Sequence, residues 1–442
     1  MRLHCWLLLA VLLPVAAWAS DDAAGAGHPR PLASAVSATL DSIMEAGVAR
    51  HYYPGATLTV GTRRGVVYDR QFGDQDYESG WPVKADDLYD IASCTKVVST
   101  TLAVMWLYDN GRIDLNARVG AYLPQYGAGE VGKIAVRELL THTSGLGNVA
   151  VYSLLTRNAK DGERLFAQTR SEAYPHRVDK NLFACCDIVY DSVLVACEPL
   201  AGYRCAGGSV YVSPEVDSLL RDELAARYSP SRRGKYAYSD LNFLLLQQIV
   251  EQIAGESLAE VTRPLFDRMG MHDTGYCPLE WATPDRIVPT EHDMLLRRGT
   301  VRGYVHDELA AVCGGVSGNA GIFSCGRDLA RYCEMLLRGG MAGDDRILSE
   351  ETVLLFTSSP LSPRGIYRGL GFDKRAPGKE LGGRHSFGHT GYTGTMIWID
   401  RDQGFYMVFL SNRVNPSRAN TGLISSNLRT TLWDVLEKYY DK

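Results

Sequence analysis

Ser93 and Lys96 stand three residues apart in the stretch YDIASCTKVVST, residues 89–100, a spacing that joins a nucleophile to a base. A serine hydroxyl is a poor nucleophile until a neighbouring group takes its proton. A lysine can do so once burial and nearby positive potential lower its pKa. Val98, Leu102 and Met105 continue at helical spacing and Asn110-Gly111 supplies a stop, so the pair sits at the start of a predicted helix. Positions i and i+3 share a face there, and the helix end contributes positive potential. Serine is also a favoured helix cap, so the tetrapeptide gains catalytic meaning only in company. That company is KYAYSDLNFLLLQQIVEQIAG (235–255), where Tyr238-Ser239-Asp240 precedes an amphipathic run, and FGHTGYTGTMIWID (387–400), where His389-Thr390-Gly391 opens a strand-like segment.

These three motifs in this order, with LLTHTSGL (139–146) and GNAGIFSCGRDLARYCEMLLRGG (318–340), resemble the serine β-lactamase and penicillin-binding-protein superfamily. The likeness covers nearly the whole chain after its first residues, on the branch of class C β-lactamases, D-alanyl-D-alanine carboxypeptidases and related esterases. It implies Ser93 as the acylated nucleophile, Lys96 as its proton partner and Tyr238 as the second-motif residue that helps activate Ser93 or the hydrolytic water. It also implies Asp240, His389, Gly391 and Tyr392 around the substrate, with the N–H groups of Ser93 and Tyr392 as the oxyanion hole. His142 and Ser144 are expected to stabilise a loop. Two positions depart from the pattern: Asp240 stands where the second motif usually ends in Asn, and His389 where the third usually begins with Lys. Both changes move the site toward negative charge, which favours neutral over carboxylate-bearing substrates unless Arg413, after the last strand, turns into the cleft.

The elements that must hold these motifs come from both ends of the chain. Val36, Leu40, Ile43 and Val48 recur at helical spacing ahead of the strand-like runs ATLTVG and VVYDRQFG. At the other end TGTMIWI and FYMVFL flank DRDQG as a hairpin, and Ile424, Leu428, Leu432, Val435 and Tyr439 mark a final helix. The expected fold is α+β: one antiparallel sheet from the N- and C-terminal segments, covered by the terminal helices, with a mostly helical lobe inserted between them. Residues 150–235 read as an irregular elaboration of that lobe, and 32–442 as the hydrolase domain.

Composition narrows the function classes. A net charge of -5, from 46 basic and 51 acidic residues, leaves no footprint for nucleic acid or an anionic membrane. No Cys-x-x-Cys pair occurs in the sequence and its ten His are scattered along the chain, so neither a metal nor another cofactor is expected. Residues 1–19 read as a signal peptide ending at Ala17-Trp18-Ala19, and 20–31 as a flexible start, placing the protein in the periplasm or outside the cell with no span in the mature chain. Cys185, Cys186, Cys197 and Cys205 cluster within the irregular segment, where export makes at least one disulfide expected. Gly315-Val316-Ser317-Gly318-Asn319 only approaches the α/β-hydrolase elbow. The expected activity is therefore cleavage of a small-molecule or peptide ester or amide through an acyl-serine, esterase-like or D-amino-acid-peptidase-like. The alternatives are a β-lactamase or D-alanyl-D-alanine carboxypeptidase, or a binding scaffold on the same fold.

Overall fold

Every residue of FYMVFLS is buried, and its side chains divide by parity. Phe405, Met407 and Phe409 enter one apolar cluster, while Tyr406, Val408 and Leu410 enter another. A strand of period two covered on both faces belongs at the centre of a layered domain. The computed structural model, which describes residues 29–160, 165–179, 182–376, 381, 383 and 385–441, places it there. The strands β1 (Gly55–Thr62), β2 (Gly65–Gly73), β3 (Ser386–Thr390), β4 (Met396–Asp400) and β5 (Phe405–Ser411) form one sheet in the order β3-β4-β5-β1-β2. All pairings are antiparallel, and the two ends of the chain meet where Ala56 lies opposite Ser411 and Thr62 opposite Phe405. The expected hairpin and the joining of the termini are as read from the sequence. The sheet gains β3 as an edge strand, so His389 belongs to β3 and not to the hairpin that follows.

The helix α1 (Ser34–Ala49) comes first; α2 (Leu102–Asp109) and α3 (Leu241–Ala254) lie in the inserted lobe, followed by α4 (Gly326–Leu337) and α5 (Leu428–Tyr440). Leu40 and Met44 of α1 join Leu432, Trp433 and Leu436 of α5 over one face of the sheet. On the other face α4 presses so close that a Cβ on Gly326 would meet the Thr59 hydroxyl at 2.4 Å. Ile424 does not start α5; it lies in a separate turn and is 51% exposed.

The irregular segment takes a definite form, and one expectation about it, a disulfide among its cysteines, is corrected. Residues 150–235 are rich in short strands: Thr156–Asn158 pairs with Ile188–Tyr190, and Val210–Val212 pairs with both Val195–Ala196 and Arg204–Gly207, before the helix Val216–Arg227. Brief runs of β-branched and aromatic residues cut by turns cannot sustain helical periodicity. Cys185, Cys186, Cys197 and Cys205 are all free thiols. Cys205 lies in the three-stranded unit of Arg204–Gly207, whereas Cys185 and Cys186 follow a strand of a different small sheet.

The expected signal peptide lies outside the described residues. Among the described residues no helix is long and apolar enough to cross a membrane, and no group of three His, Cys, Asp or Glu side chains could hold a metal.

The shared cover of α1 and α5 gives a stability test. Leu432→Ala should lower the unfolding free energy by about 2–5 kcal/mol in urea denaturation, whereas Ile424→Ala should change it by less than about 0.5 kcal/mol.

Candidate active site

The segment that carries Ser93 is held in an unusual backbone state. Ala92, just before it, has φ of 47°, a left-handed conformation in which a Cβ is crowded. Asp90 pins the turn, its Oδ1 accepting from the Ala92 N–H at 2.8 Å and its Oδ2 from the His306 N–H at 2.6 Å. Ser93 then lies in a 3₁₀ turn, Ala92–Cys94, and Lys96 opens a π-helical turn, Lys96–Thr101, ahead of α2. The expected helix start is thus a wider coil, of a kind often found at functional sites.

Lys96 is completely buried, and its ammonium donates to three acceptors: Ser93 Oγ at 3.0 Å, Asp240 Oδ1 at 2.6 Å and the Asn319 carbonyl at 2.9 Å. Three N–H bonds are all that an ammonium can make. Burial pulls the Lys96 pKa down, but the Asp240 and Tyr238 oxygens outweigh it, and the net shift is upward. This corrects the expectation of a lysine made basic by a lowered pKa: the amine is held as an ammonium. Tyr238 donates to Ser93 Oγ from the other side at 3.0 Å. Burial raises the pKa of its phenol, against the lowering effect of Lys96.

Asp240 is therefore not a free carboxylate facing substrate but the counter-ion of Lys96, and the extra negative charge read from the sequence is cancelled at source. Its backbone N–H is held by Asn148 Oδ1 at 2.7 Å. Behind the lysine, Asp307 accepts from the Asn319 side chain at 2.9 Å and from the Ala310 N–H at 2.8 Å. Burial and the Asp240 charge push the Asp307 carboxyl up to about 6.

His389 lies on β3 with its Nδ1 on the Thr390 carbonyl at 2.9 Å. Burial, then the charges of Arg368 and Lys96, depress its pKa well below the ordinary imidazole value. The ring is neutral, with the proton on Nδ1, and supplies no cation at the third-motif position. Arg413 does not replace it: its guanidinium is buried, donates to the Asn420 carbonyl at 2.7 Å and lies 4.8 Å from the Tyr392 ring. Tyr392 stacks between that group and His306, whose ring centre is 5.6 Å away, and is 41% exposed.

The loop after β3 is fastened to the Ser93 turn. Thr393 Oγ1 donates to the Asp90 carbonyl at 2.9 Å, Thr395 Oγ1 donates to the Ile91 carbonyl at 3.0 Å, and Cys94 Sγ lies 3.5 Å from the His389 carbonyl. Ser93, Lys96, Tyr238, Asp240, His389, Gly391 and Tyr392 thus converge, while Arg413 stays behind Tyr392. His142 and Ser144 hold the loop as expected: His142 Nδ1 receives the Ser239 N–H at 3.2 Å and the Asn242 side chain at 3.0 Å, and Ser144 bonds Asn242 at 2.5 Å.

With this geometry the relationship to known proteins can be read. The Beta-lactamase family model matches residues 40–424. The chain belongs to the beta-lactamase family. An Escherichia coli (strain K12) protein named "Putative D-alanyl-D-alanine carboxypeptidase" is 28% identical over 390 residues, covering 82% of this chain and 79% of that protein. Among solved structures, the octameric penicillin-binding protein homologue from Pyrococcus abyssi superposes with a TM-score of 0.60 at 20% identity, over 89% of this chain and 77% of its own. EstCE1, a hydrolase with promiscuous acyltransferase activity, gives 0.61 at 18% identity, over 91% and 98%. At those identities the structural likeness concerns the fold, and it agrees with an antiparallel sheet drawn from both ends of a family member.

Asn319, Asp90, Asn148 and Arg368 escape sequence reading. Asn319 acts on Lys96 through a backbone carbonyl, which carries no side-chain signature. Asp90 and Asn148 act on backbone N–H groups, and Arg368 lies in no motif. The close fit around Gly391 gives a test of the assembly. A Cβ there would meet Thr395 Oγ1 at 2.0 Å and the Ile91 carbonyl at 2.6 Å. Gly391→Ala should separate β3 from the Ser93 turn and lower turnover of an activated ester about tenfold or more, a loss checked by steady-state kinetics alongside the melting temperature.

Proposed function

We propose that this family member is an exported serine hydrolase that cleaves an ester or amide through an acyl-Ser93 intermediate. The observation that carries the reading is the convergence of Lys96 and Tyr238 on one oxygen, Ser93 Oγ, each at 3.0 Å. As Ser93 attacks the acyl carbon, its proton passes to Lys96 Nζ while Lys96 hands a proton to Asp240 Oδ1; the carbonyl π bond opens and its electron pair goes to the oxygen. Tyr238 keeps Ser93 Oγ oriented; as the oxyanion's electron pair re-forms the carbonyl and the bond to the leaving group breaks, the phenol gives that group its proton and regains one from Asp240 through Lys96. The N–H groups of Ser93 and Tyr392, on the two segments joined through Thr393 and Thr395, receive the oxyanion. Water then repeats the sequence on the acyl-enzyme. The apolar run within residues 1–19 supports export.

The second reading, a D-alanyl-D-alanine carboxypeptidase, draws on the name of the Escherichia coli relative and uses the same Ser93 chemistry. A binding scaffold is disfavoured because the Tyr238 phenol as well as the Lys96 ammonium is aimed at the Ser93 hydroxyl, a convergence that binding alone does not ask for.

A fluorophosphonate should attach to Ser93 in the wild-type protein and not in Ser93→Ala, as located by mass spectrometry; equal labelling of both would refute the assignment. Lys96→Ala and Tyr238→Phe should each lower turnover by about two orders of magnitude. The pH profile tests the relay. Asp240 holds Lys96 protonated, so the alkaline limb of kcat/KM lies above the ordinary lysine range. In Asp240→Asn the counter-ion is lost, and that limb should move down toward the lysine range with a lower plateau. If Asp240→Asn instead becomes more active as pH rises, neutral Lys96 is the base and the relay fails.

A further inference from the structure

Cys205, Cys277 and Cys313 stand far apart in the sequence, yet they line one cavity of about 660 Å³. All three thiols are free and partly exposed. The space suits a small organic molecule. Leu279, Val305 and Phe323 give it an apolar wall, and Arg204 adds a polar one. Asp217 takes both terminal nitrogens of that guanidinium, at 3.1 and 2.7 Å, while its Nε is buried with no acceptor among the described residues. An occupant therefore meets thiols, apolar surface and one N–H donor.

Cys277 and Cys313 are the pair the backbone brings together. The Cys277 Sγ lies 3.7 Å from the carbonyl of Gly314, the residue after Cys313, and a Cβ on Gly315 would stand 3.1 Å from the same sulfur. Cys277 is held at φ 48°, a left-handed conformation that few residues other than glycine adopt. Burial pushes the Cys277 thiol up to about 11 and the Cys313 thiol up to about 12. Of the two, Cys277 yields its thiolate more readily and is the attacking sulfur.

Both thiol-bearing segments run directly to the Lys96 turn. Tyr276, beside Cys277, pairs with the Ser99 hydroxyl at 2.8 Å and donates to the Ser317 carbonyl at 3.2 Å. Beyond Cys313 the chain reaches Gly318, whose carbonyl accepts from Thr100 at 2.7 Å, and Asn319, whose carbonyl accepts from Lys96 at 2.9 Å. The intervening loop is folded closely on itself, since a Cβ on Gly321 would meet the Gly315 carbonyl at 2.3 Å. A displacement at Cys313 is passed to the Lys96 acceptor, because packed segments transmit strain.

We propose that this cavity is a thiol–disulfide exchange site, which binds a low-molecular-weight disulfide and leaves Cys277 joined to Cys313, and that the new bond lowers turnover at Ser93. The Cys277 thiol loses its proton to solvent and its sulfur attacks one sulfur of the bound disulfide. The electron pair of the broken S–S bond leaves with the other sulfur, which takes up a proton as a free thiol. Cys313 then gives up its proton and attacks the Cys277 sulfur, releasing the second small thiol in the same way. Two protein thiols are oxidised by two electrons and one disulfide is reduced to two thiols. The effect on turnover rests on the acyl-Ser93 reading, whereas the exchange does not.

The test treats the wild-type protein with glutathione disulfide and follows it by non-reducing peptide mapping and by hydrolysis of p-nitrophenyl butyrate. A Cys277–Cys313 linked peptide should form while the rate falls about fivefold or more, and dithiothreitol should reverse both. In Cys313→Ser the glutathione should remain as a mixed disulfide on Cys277, and in Cys277→Ser neither the bond nor the loss of rate should appear. Bond formation should level off as glutathione disulfide is raised, as binding before reaction requires. A strictly linear rise, a bond that uses Cys205 in place of either partner, or no bond at all overturns the exchange site. A bond formed with the rate unchanged overturns the coupling to Lys96. Should the protein not hydrolyse the ester, the acyl-Ser93 reading is what has failed on that substrate, and peptide mapping alone still decides the exchange site.

Discussion

A completely buried ammonium with three acceptors is the constraint around which this protein is arranged. Lys96 cannot lie in an apolar interior unless each of its N–H groups finds an oxygen and its charge finds a counter-ion. The chain supplies these from three separate places: Ser93 one turn away, the Asn319 carbonyl in the loop ahead of α4, and Asp240 at the head of α3. Removing Asp240 strands the charge and removing either of the others leaves an N–H unmet, so the satisfaction of Lys96 and the position of the Ser93 hydroxyl are one arrangement.

The sheet makes that arrangement reachable. β1 and β5, from opposite ends of the chain, pair in the middle, and β3 is added at the edge, where its loop touches the Ser93 turn through Thr393 and Thr395. An edge strand keeps one row of backbone groups unused by its own sheet. Here that row is met by Asp373, which exchanges two backbone hydrogen bonds with Gly388, and the strand's end at His389 and Gly391 lies beside the Ser93 turn. The terminal helices α1 and α5 lie on the far face, so the stability of the sheet and the chemistry at its edge are separated by the sheet itself.

Charge is balanced pairwise around Ser93 and left in excess at the margin of the site. Lys96 and Asp240 cancel, His389 is neutral, and the carboxylates of Glu291 and Glu308 are taken by Arg418 and, for Glu291, by His306 as well. Against this background Asp373, shared between Arg368 and Arg375, leaves one edge of the Arg368 guanidinium without a partner among the described residues. Selectivity in such a site depends on which charges have partners more than on how many charges there are, because a paired charge in a buried place exerts little field beyond its partner.

The sequence by itself determined the α+β class and the sheet drawn from both termini, because they are written in local spacing, period two in the strands and 3.6 in the helices; its motifs carried the resemblance to the family and singled out Ser93, Lys96 and Tyr238 as candidates. What only the tertiary structure decided depends on residues far apart in the chain. Asp240 looked like an added repulsive charge until it was found 2.6 Å from Lys96, 144 positions earlier, which also turned the expected lowering of the lysine pKa into a rise. Arg413 looked available to the cleft until Asn420 and Tyr392 were seen to hold it. Arg368 carried no signal, since an unmet guanidinium edge exists only once burial has removed water and the neighbouring carboxylate has been shared. The irregular insert became a set of short sheets, since strand pairing is non-local and leaves little trace in so few residues. Spacing encodes which groups can act, whereas charge, burial and hydrogen-bond partners arise only when the chain has closed on itself.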